Sequence, residues 1–216
     1  MANKQASVYL FDLDGTLVDS MSIGWAKTLL GFLDERGIVY ADDLIKNVIA
    51  LGLSGCAAYY KAHFDLKETQ EEIVEYFVRA MRYRYETDIP LKAGVKDGLI
   101  ALKGAGMRLN VLTASPHVFL DPCLKRLGVY DLFENHFSTD DFHLPKSDTA
   151  LYSLIAERLG VELSECVLVD DSIAAIKTAK QAGLKTIGVY DEVSASYEQE
   201  MRETADQYVY TIDELA

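Results

Sequence analysis

The 216-residue sequence predicts an α/β protein, a doubly wound parallel sheet into which an all-helical segment is inserted. Three observations predict it. Short apolar runs rich in strand formers alternate with helical patterns closed by glycine, and parallel strands joined by helical crossovers produce that alternation. Residues 21–87 break it, with helical periodicity and no convincing strand. Half of the chain is hydrophobic, enough for one substantial core with a smaller appendage.

The elements follow in order. Val8-Tyr9-Leu10-Phe11 reads as a buried strand that stops abruptly at Asp12-Leu13-Asp14-Gly15. Similar runs recur at 109–112, 166–169 and 186–189, with a weaker one at 208–210. Helical patterns at 95–103, 118–127, 149–159 and 173–182 are closed by Gly104, Gly128, Gly160 and Gly183. Within the insertion, Trp25, Leu29, Phe32 and Leu33 share one helical face, as do Ile73, Val74, Phe77, Val78 and Met81, and both stripes read as packing. The expected division is a core of 1–20 and 88–216 with a helical cap of 21–87. Inserted directly after the Asp12 loop, the cap is expected to stand over it as a lid.

The net charge of −13 opposes nucleic-acid binding, because phosphate backbones recruit basic surfaces. It does not exclude small phosphorylated metabolites, since a metal ion and a local lysine can reverse the field inside a cleft. No apolar run approaches the ~20 residues of a membrane span, and residues 1–7 lack a secretion-signal pattern. The sequence is therefore assigned to the cytoplasm, without a membrane partner, as a monomer or weak homodimer. Cys56, Cys123 and Cys166 show no metal-ligand spacing and read as reduced core residues.

Doubly wound sheets bind ligands beyond the carboxyl ends of their strands. The first strand ends in Asp12 and Asp14, the second in Thr113-Ala114-Ser115, and the 166–169 strand in Asp170-Asp171-Ser172; Pro145-Lys146-Ser147-Asp148 precedes a helix. Asp12 and Asp14, two apart on extended backbone, point to the same side. Asp170 and Asp171 bring further carboxylates, and such a cluster repels itself unless a cation is present. Oxygen-only ligands suit a hard ion, so Asp12, Asp14, Asp170 and Asp171 are the candidate ligands of Mg2+. Asp12 is assigned nucleophilic attack on phosphorus and Asp14 proton transfer. Thr113, the Ala114 amide and Lys146 are assigned to the phosphoryl oxygens, and Ser115 and His117 to the substrate beyond them. Taken singly, Asp-x-Asp-Gly is often a turn, Asp-Asp often a helix cap, Thr113 a cap and Lys146 a solvated surface residue. Their weight lies in coincidence, each falling where a parallel strand should end.

These residues resemble the motifs of the haloacid dehalogenase superfamily of phosphatases and phosphomutases. Asp12-Leu13-Asp14-Gly15-Thr16-Leu17-Val18-Asp19-Ser20 is similar to its first motif without departure, and Thr113 to its Ser/Thr motif. The stretch from Lys146 through Tyr152 resembles its lysine motif, usually Lys-Pro-x-Pro, with both prolines replaced. Val169-Asp170-Asp171-Ser172 resembles the adjacent-acid form of its acidic motif, with Ala175 where many relatives carry a second acid. The resemblance spans essentially the whole chain and implies a Rossmann-like core with a helical cap. It also implies a magnesium-dependent phosphatase acting on a small phosphate monoester through an aspartyl-phosphate. The acid at Asp14 argues against a dehalogenase, and Lys27, Lys46, Lys61 and Lys67 match no Schiff-base lysine. A β-phosphoglucomutase-like mutase and a catalytically silent phosphometabolite-binding regulator are the alternatives. Against the mutase, Gly24 stands where that branch carries a His, and Gly52-Leu53-Ser54-Gly55 has no Arg.

Overall fold

Strands β1 (Val8–Phe11), β2 (Arg108–Thr113), β3 (Asn135–Ser138), β4 (Cys166–Asp170), β5 (Lys185–Val189) and β6 (Gln207–Val209) form one parallel sheet in a computed structural model that describes residues 8–216. Their spatial order is β3-β2-β1-β4-β5-β6, the doubly wound arrangement that the alternation predicts. Residues 1–7, read above for a secretion signal, lie outside the described residues. All five residues of β4 are buried, as are Val8, Leu10 and Phe11 of β1, which is why these strands read as continuous apolar runs and not as alternating ones. Phe11 pairs in register with Val111 on one side and Val169 on the other. The chain reverses its winding between β1 and β4, so the carboxyl ends of these two strands flank the crevice of the sheet.

β3 is absent from the strands predicted from sequence. Asn135-His136-Phe137-Ser138 carries a single large apolar side chain, and as an edge strand it is paired only to β2. Its register rests partly on an amide pair, with Asn135 Nδ2 donating to Asn110 Oδ1 at 2.8 Å.

The chain divides into two compact units, one of the described residues up to Asp19 with Pro90–Ala216, the other of Ser20–Ile89. The second opens with a π-helical turn, Met21–Ala26, and continues as α1 (Lys27–Asp34), α2 (Leu44–Val48), α3 (Gly52–His63) and α4 (Gln70–Thr87). Leu29, Phe32 and Leu33 of α1 pack with Cys56, Ala57 and Tyr60 of α3 and with Ile73 and Phe77 of α4. The buried stripe of α4 is Ile73, Phe77, Met81 and Tyr85, a spacing of four that leaves Val78 exposed, contrary to the stripe read from sequence. Trp25 is likewise only half-buried.

In the first unit, α5 (Val95–Gly104), α6 (His117–Leu127), α7 (Thr149–Leu159), α8 (Ile173–Ala182) and α9 (Glu198–Thr204) accompany the sheet. α6, α7 and α8 each end on a left-handed glycine, Gly128, Gly160 and Gly183. The three cysteines are buried and unpaired, and burial pushes the Cys56 and Cys123 thiols up to about 12. Among the described residues no helix is long and apolar enough to cross a membrane.

Candidate active site

The loop after β1 is tied down at once. The Asp12 amide donates to the Val169 carbonyl at 2.9 Å, which keeps Asp12 in step with Asp170 at the end of β4. The backbone then folds back, the Gly15 amide donating to the Val18 carbonyl at 3.0 Å and the Leu17 amide to the Leu13 carbonyl at 2.9 Å. Gly15 has φ +81°, and a Cβ there would lie 2.7 Å from Asp171 Oδ2. Thr16 Oγ1 donates to Asp171 Oδ1 at 3.3 Å. Glycine is thus required on two grounds, left-handed backbone and close approach. Gly15→Ala is expected to cost about 1–2 kcal/mol from backbone strain alone, a Tm loss of roughly 2–4 °C per kcal/mol for a chain of this size. Calorimetry checks it, and an unchanged Tm would mean that the loop relaxes freely.

Asp12, Asp170 and Asp171 each bring a carboxylate oxygen within 4.8 Å of the others. Lys146 Nζ donates to Asp12 Oδ1 and, at 2.8 Å, to Asp170 Oδ2. The Lys146 ammonium therefore bonds two of the three carboxylates. Burial pushes the Asp12 carboxyl up to about 7; Lys146 pulls it down, and Asp170 and Asp14 add to the rise. Burial, then Asp170 and Asp12, hold the Asp171 carboxyl well above the usual carboxylate range. Burial disfavours the Lys146 ammonium, but Asp12 and Asp170 outweigh it and push its pKa up. An all-oxygen donor set with two carboxylates in excess fits a hard divalent cation.

The carboxylate of Asp14 does not join this group, contrary to the four-ligand set expected from sequence. Ser115 Oγ donates to Asp14 Oδ2 at 2.5 Å, turning that side chain toward β2. The Ser115 amide in turn donates to Thr113 Oγ1 at 3.0 Å, so Thr113-Ala114-Ser115 closes on itself at the strand end, with Thr113 buried and Ala114 exposed. His117 begins α6 and meets Asp141 through Nε2 at 3.1 Å and Asp121 through Nδ1 at 3.4 Å. Burial lowers its pKa, yet these two carboxylates prevail and raise it. Both of its ring nitrogens are therefore engaged by acids rather than assembled with Asp12.

The lysine loop lacks the two prolines, and side chains supply constraints in their place. Asp148 caps α7 by accepting from the Ala150 amide at 2.9 Å, and the buried Tyr152 hydroxyl donates to the Lys146 carbonyl at 2.9 Å. Sequence reasoning passed over Lys92 and Asp191, which form an ion pair of 3.0 Å beside the Gly15 loop. Asp191 follows β5 closely, so the strand-end rule that found Asp170 could have found it. Lys92 carries no sequence signal, because it precedes a helix in an unpatterned stretch.

Residues 6–183 match the model of the haloacid dehalogenase-like hydrolases. The chain is 30% identical over 228 aligned residues to a phosphoglycolate phosphatase of Colwellia psychrerythraea, covering all of this chain and 97% of that protein. Among solved structures, CbbY of Rhodobacter sphaeroides in complex with phosphate superposes with a TM-score of 0.78 at 21% identity, covering 98% of this chain and 97% of its own. The Bacillus subtilis protein YfnB, bound to magnesium, gives 0.80 at 16% identity, with 98% and 97% covered. At these identities the two structures speak for the fold, whereas the family match extends over most of the sequence and includes Asp12, Asp14, Thr113, Lys146, Asp170 and Asp171. This chain belongs to the haloacid dehalogenase-like hydrolases.

Proposed function

We propose that this phosphoric monoester hydrolase is a magnesium-dependent phosphatase that cleaves a small phosphate monoester through an aspartyl-phosphate on Asp12. The observation that carries the reading is the gathering of Asp12, Asp170 and Asp171 at one point, with the Lys146 ammonium bonded to Asp12 and Asp170. In the first step an Asp12 oxygen attacks phosphorus, the bond from phosphorus to the leaving oxygen breaks, and Asp14 gives that oxygen its proton. In the second, Asp14 takes a proton from a water whose oxygen attacks the same phosphorus, and the Asp12 carboxylate is released with inorganic phosphate. Ser115 Oγ donates to one oxygen of Asp14 and orients it. Thr113, the Ala114 amide and Lys146 are assigned to the phosphoryl oxygens. Held by Asp12, Asp170 and Asp171, Mg2+ would supply positive charge against the phosphoryl group.

A mutase needs a cationic grip on a second phosphate, and arginine is the residue suited to it. Arg36 is engaged by Glu68 at 2.6 Å, Arg82 by Glu86 at 2.8 Å and Arg84 by Thr28 at 3.0 Å, while Arg79 lies over the Tyr76 ring at 5.8 Å, all within the helical unit. These pairings support hydrolysis over transfer to a second hydroxyl.

The test is a panel of phosphorylated short acids, sugars and nucleotides with added Mg2+. Inorganic phosphate is expected to be released, to cease in chelator and to return with Mg2+ but poorly with Ca2+, whose larger and looser shell fits the in-line geometry less well. Full turnover in chelator, or conversion of a hexose 1-phosphate to its 6-phosphate without free phosphate, would overturn the reading.

A further inference from the structure

We propose that Lys92 is a positioning residue that sets the metal affinity of the site through the Gly15 loop, an inference that rests on the magnesium reading above. Its side chain is 17% exposed and that of Asp191 6%. The ammonium donates to the Gly15 carbonyl at 2.5 Å, to the Tyr190 carbonyl at 2.5 Å and to Asp191 Oδ2 at 3.0 Å. An ammonium has three hydrogens to give, and here each has an acceptor. Two acceptors lie just beyond β5; the third is the backbone of the loop that carries Asp12 and Asp14.

Lys92 grips that loop twice. Its own amide donates to the Leu17 carbonyl at 3.0 Å, and the adjacent Leu91 bridges Val18. One grip is on Gly15 itself and Thr16 lies between the two, and these are the residues that border Asp171, by the close approach of Gly15 and the Thr16 hydroxyl at 3.3 Å. The chain of contacts runs from Asp191 through Lys92 and Gly15 to Asp171, one of the three gathered carboxylates. A buried ion pair alone would need only Asp191. The bond to the Gly15 carbonyl ties the pair to the position of a proposed metal ligand.

The test is calorimetric titration of Mg2+ alone into Lys92→Met and the wild type, at a temperature well below both unfolding transitions, with the Mg2+ dependence of phosphate release measured in parallel. Groups that orient metal ligands from behind typically change affinity by roughly 10–100-fold when removed, so Lys92→Met is expected to bind Mg2+ at least about tenfold more weakly and to regain most of its kcat at saturating Mg2+. A purely structural role would lower Tm and leave the affinity of the folded protein unchanged, and that result would overturn the proposal. Should Lys92→Met not fold, Asp191→Asn carries the test: a severalfold weaker Mg2+ affinity is expected, and wild-type affinity refutes it. If the wild type itself binds no Mg2+, the magnesium reading fails and this inference falls with it. If the wild type binds and both variants bind equally well, only the positioning role fails.

Discussion

Asp12→Asn is expected to abolish turnover while leaving the fold intact. Asparagine is nearly isosteric but has no anionic oxygen to attack phosphorus, so the loss should be on the order of 10³-fold or more. The fold should not suffer, because Asp12 sits among like charges and Lys146 keeps Asp170 as a partner. The pH dependence gives a second signature. Burial raises the folded carboxyl from 3.8 to about 7, so the folded state binds the proton more tightly than the unfolded chain does. The contribution of Asp12 to stability in chelator should therefore fall as pH rises from about 4 to about 7, and the variant should lose that part of the slope. Phosphate release and thermal unfolding across this range check both points. Retention of more than a few per cent of turnover would remove Asp12 as the nucleophile.

Lys146→Met is expected to damage stability and turnover together. The methionine fills most of the volume but leaves the Asp12 and Asp170 oxygens buried without their shared ammonium. Breaking a buried ion pair from one side typically costs about 3–5 kcal/mol, and losing a preorganised charge on the phosphoryl group about 10²–10³-fold in rate. Added Mg2+ should restore part of the stability by returning positive charge, so its effect on Tm should be larger in the variant than in the wild type. Calorimetry with and without Mg2+ decides this. A variant with wild-type Tm in chelator would show that Lys146 does not neutralise the pair.

Much of the fold was legible because its central strands are buried on both faces. Runs such as Cys166-Val167-Leu168-Val169 that stop abruptly at acids announce both a strand and its functional end. The edge strand β3 lacks that signal, since Asn135 and Ser138 contribute hydrogen bonds and little apolar surface. Within the site, strand ends pointed to Asp12, Asp170 and Asp171, and the stretch before a helix pointed to Lys146. The contact of Asp14 with Ser115 joins the ends of two strands 101 residues apart in sequence, which spacing does not encode. Lys92 was invisible for a related reason: two of its three acceptors are main-chain carbonyls, 77 and 98 residues away in sequence.

The position of β1 has a consequence for how the chain must be made. It is the first strand of the described residues yet lies in the middle of the sheet, hydrogen-bonded on one flank to β2 and on the other to β4. During synthesis from the amino terminus, β2 can cover one flank early, but the other stays open until residues 166–170 emerge. Until then Val8-Tyr9-Leu10-Phe11 is a bare apolar ribbon edge of the kind that recruits other chains. A ribosome stalled short of β4 would release a product that is sticky as well as inactive, and holdase chaperones would have their clearest target in the first strand.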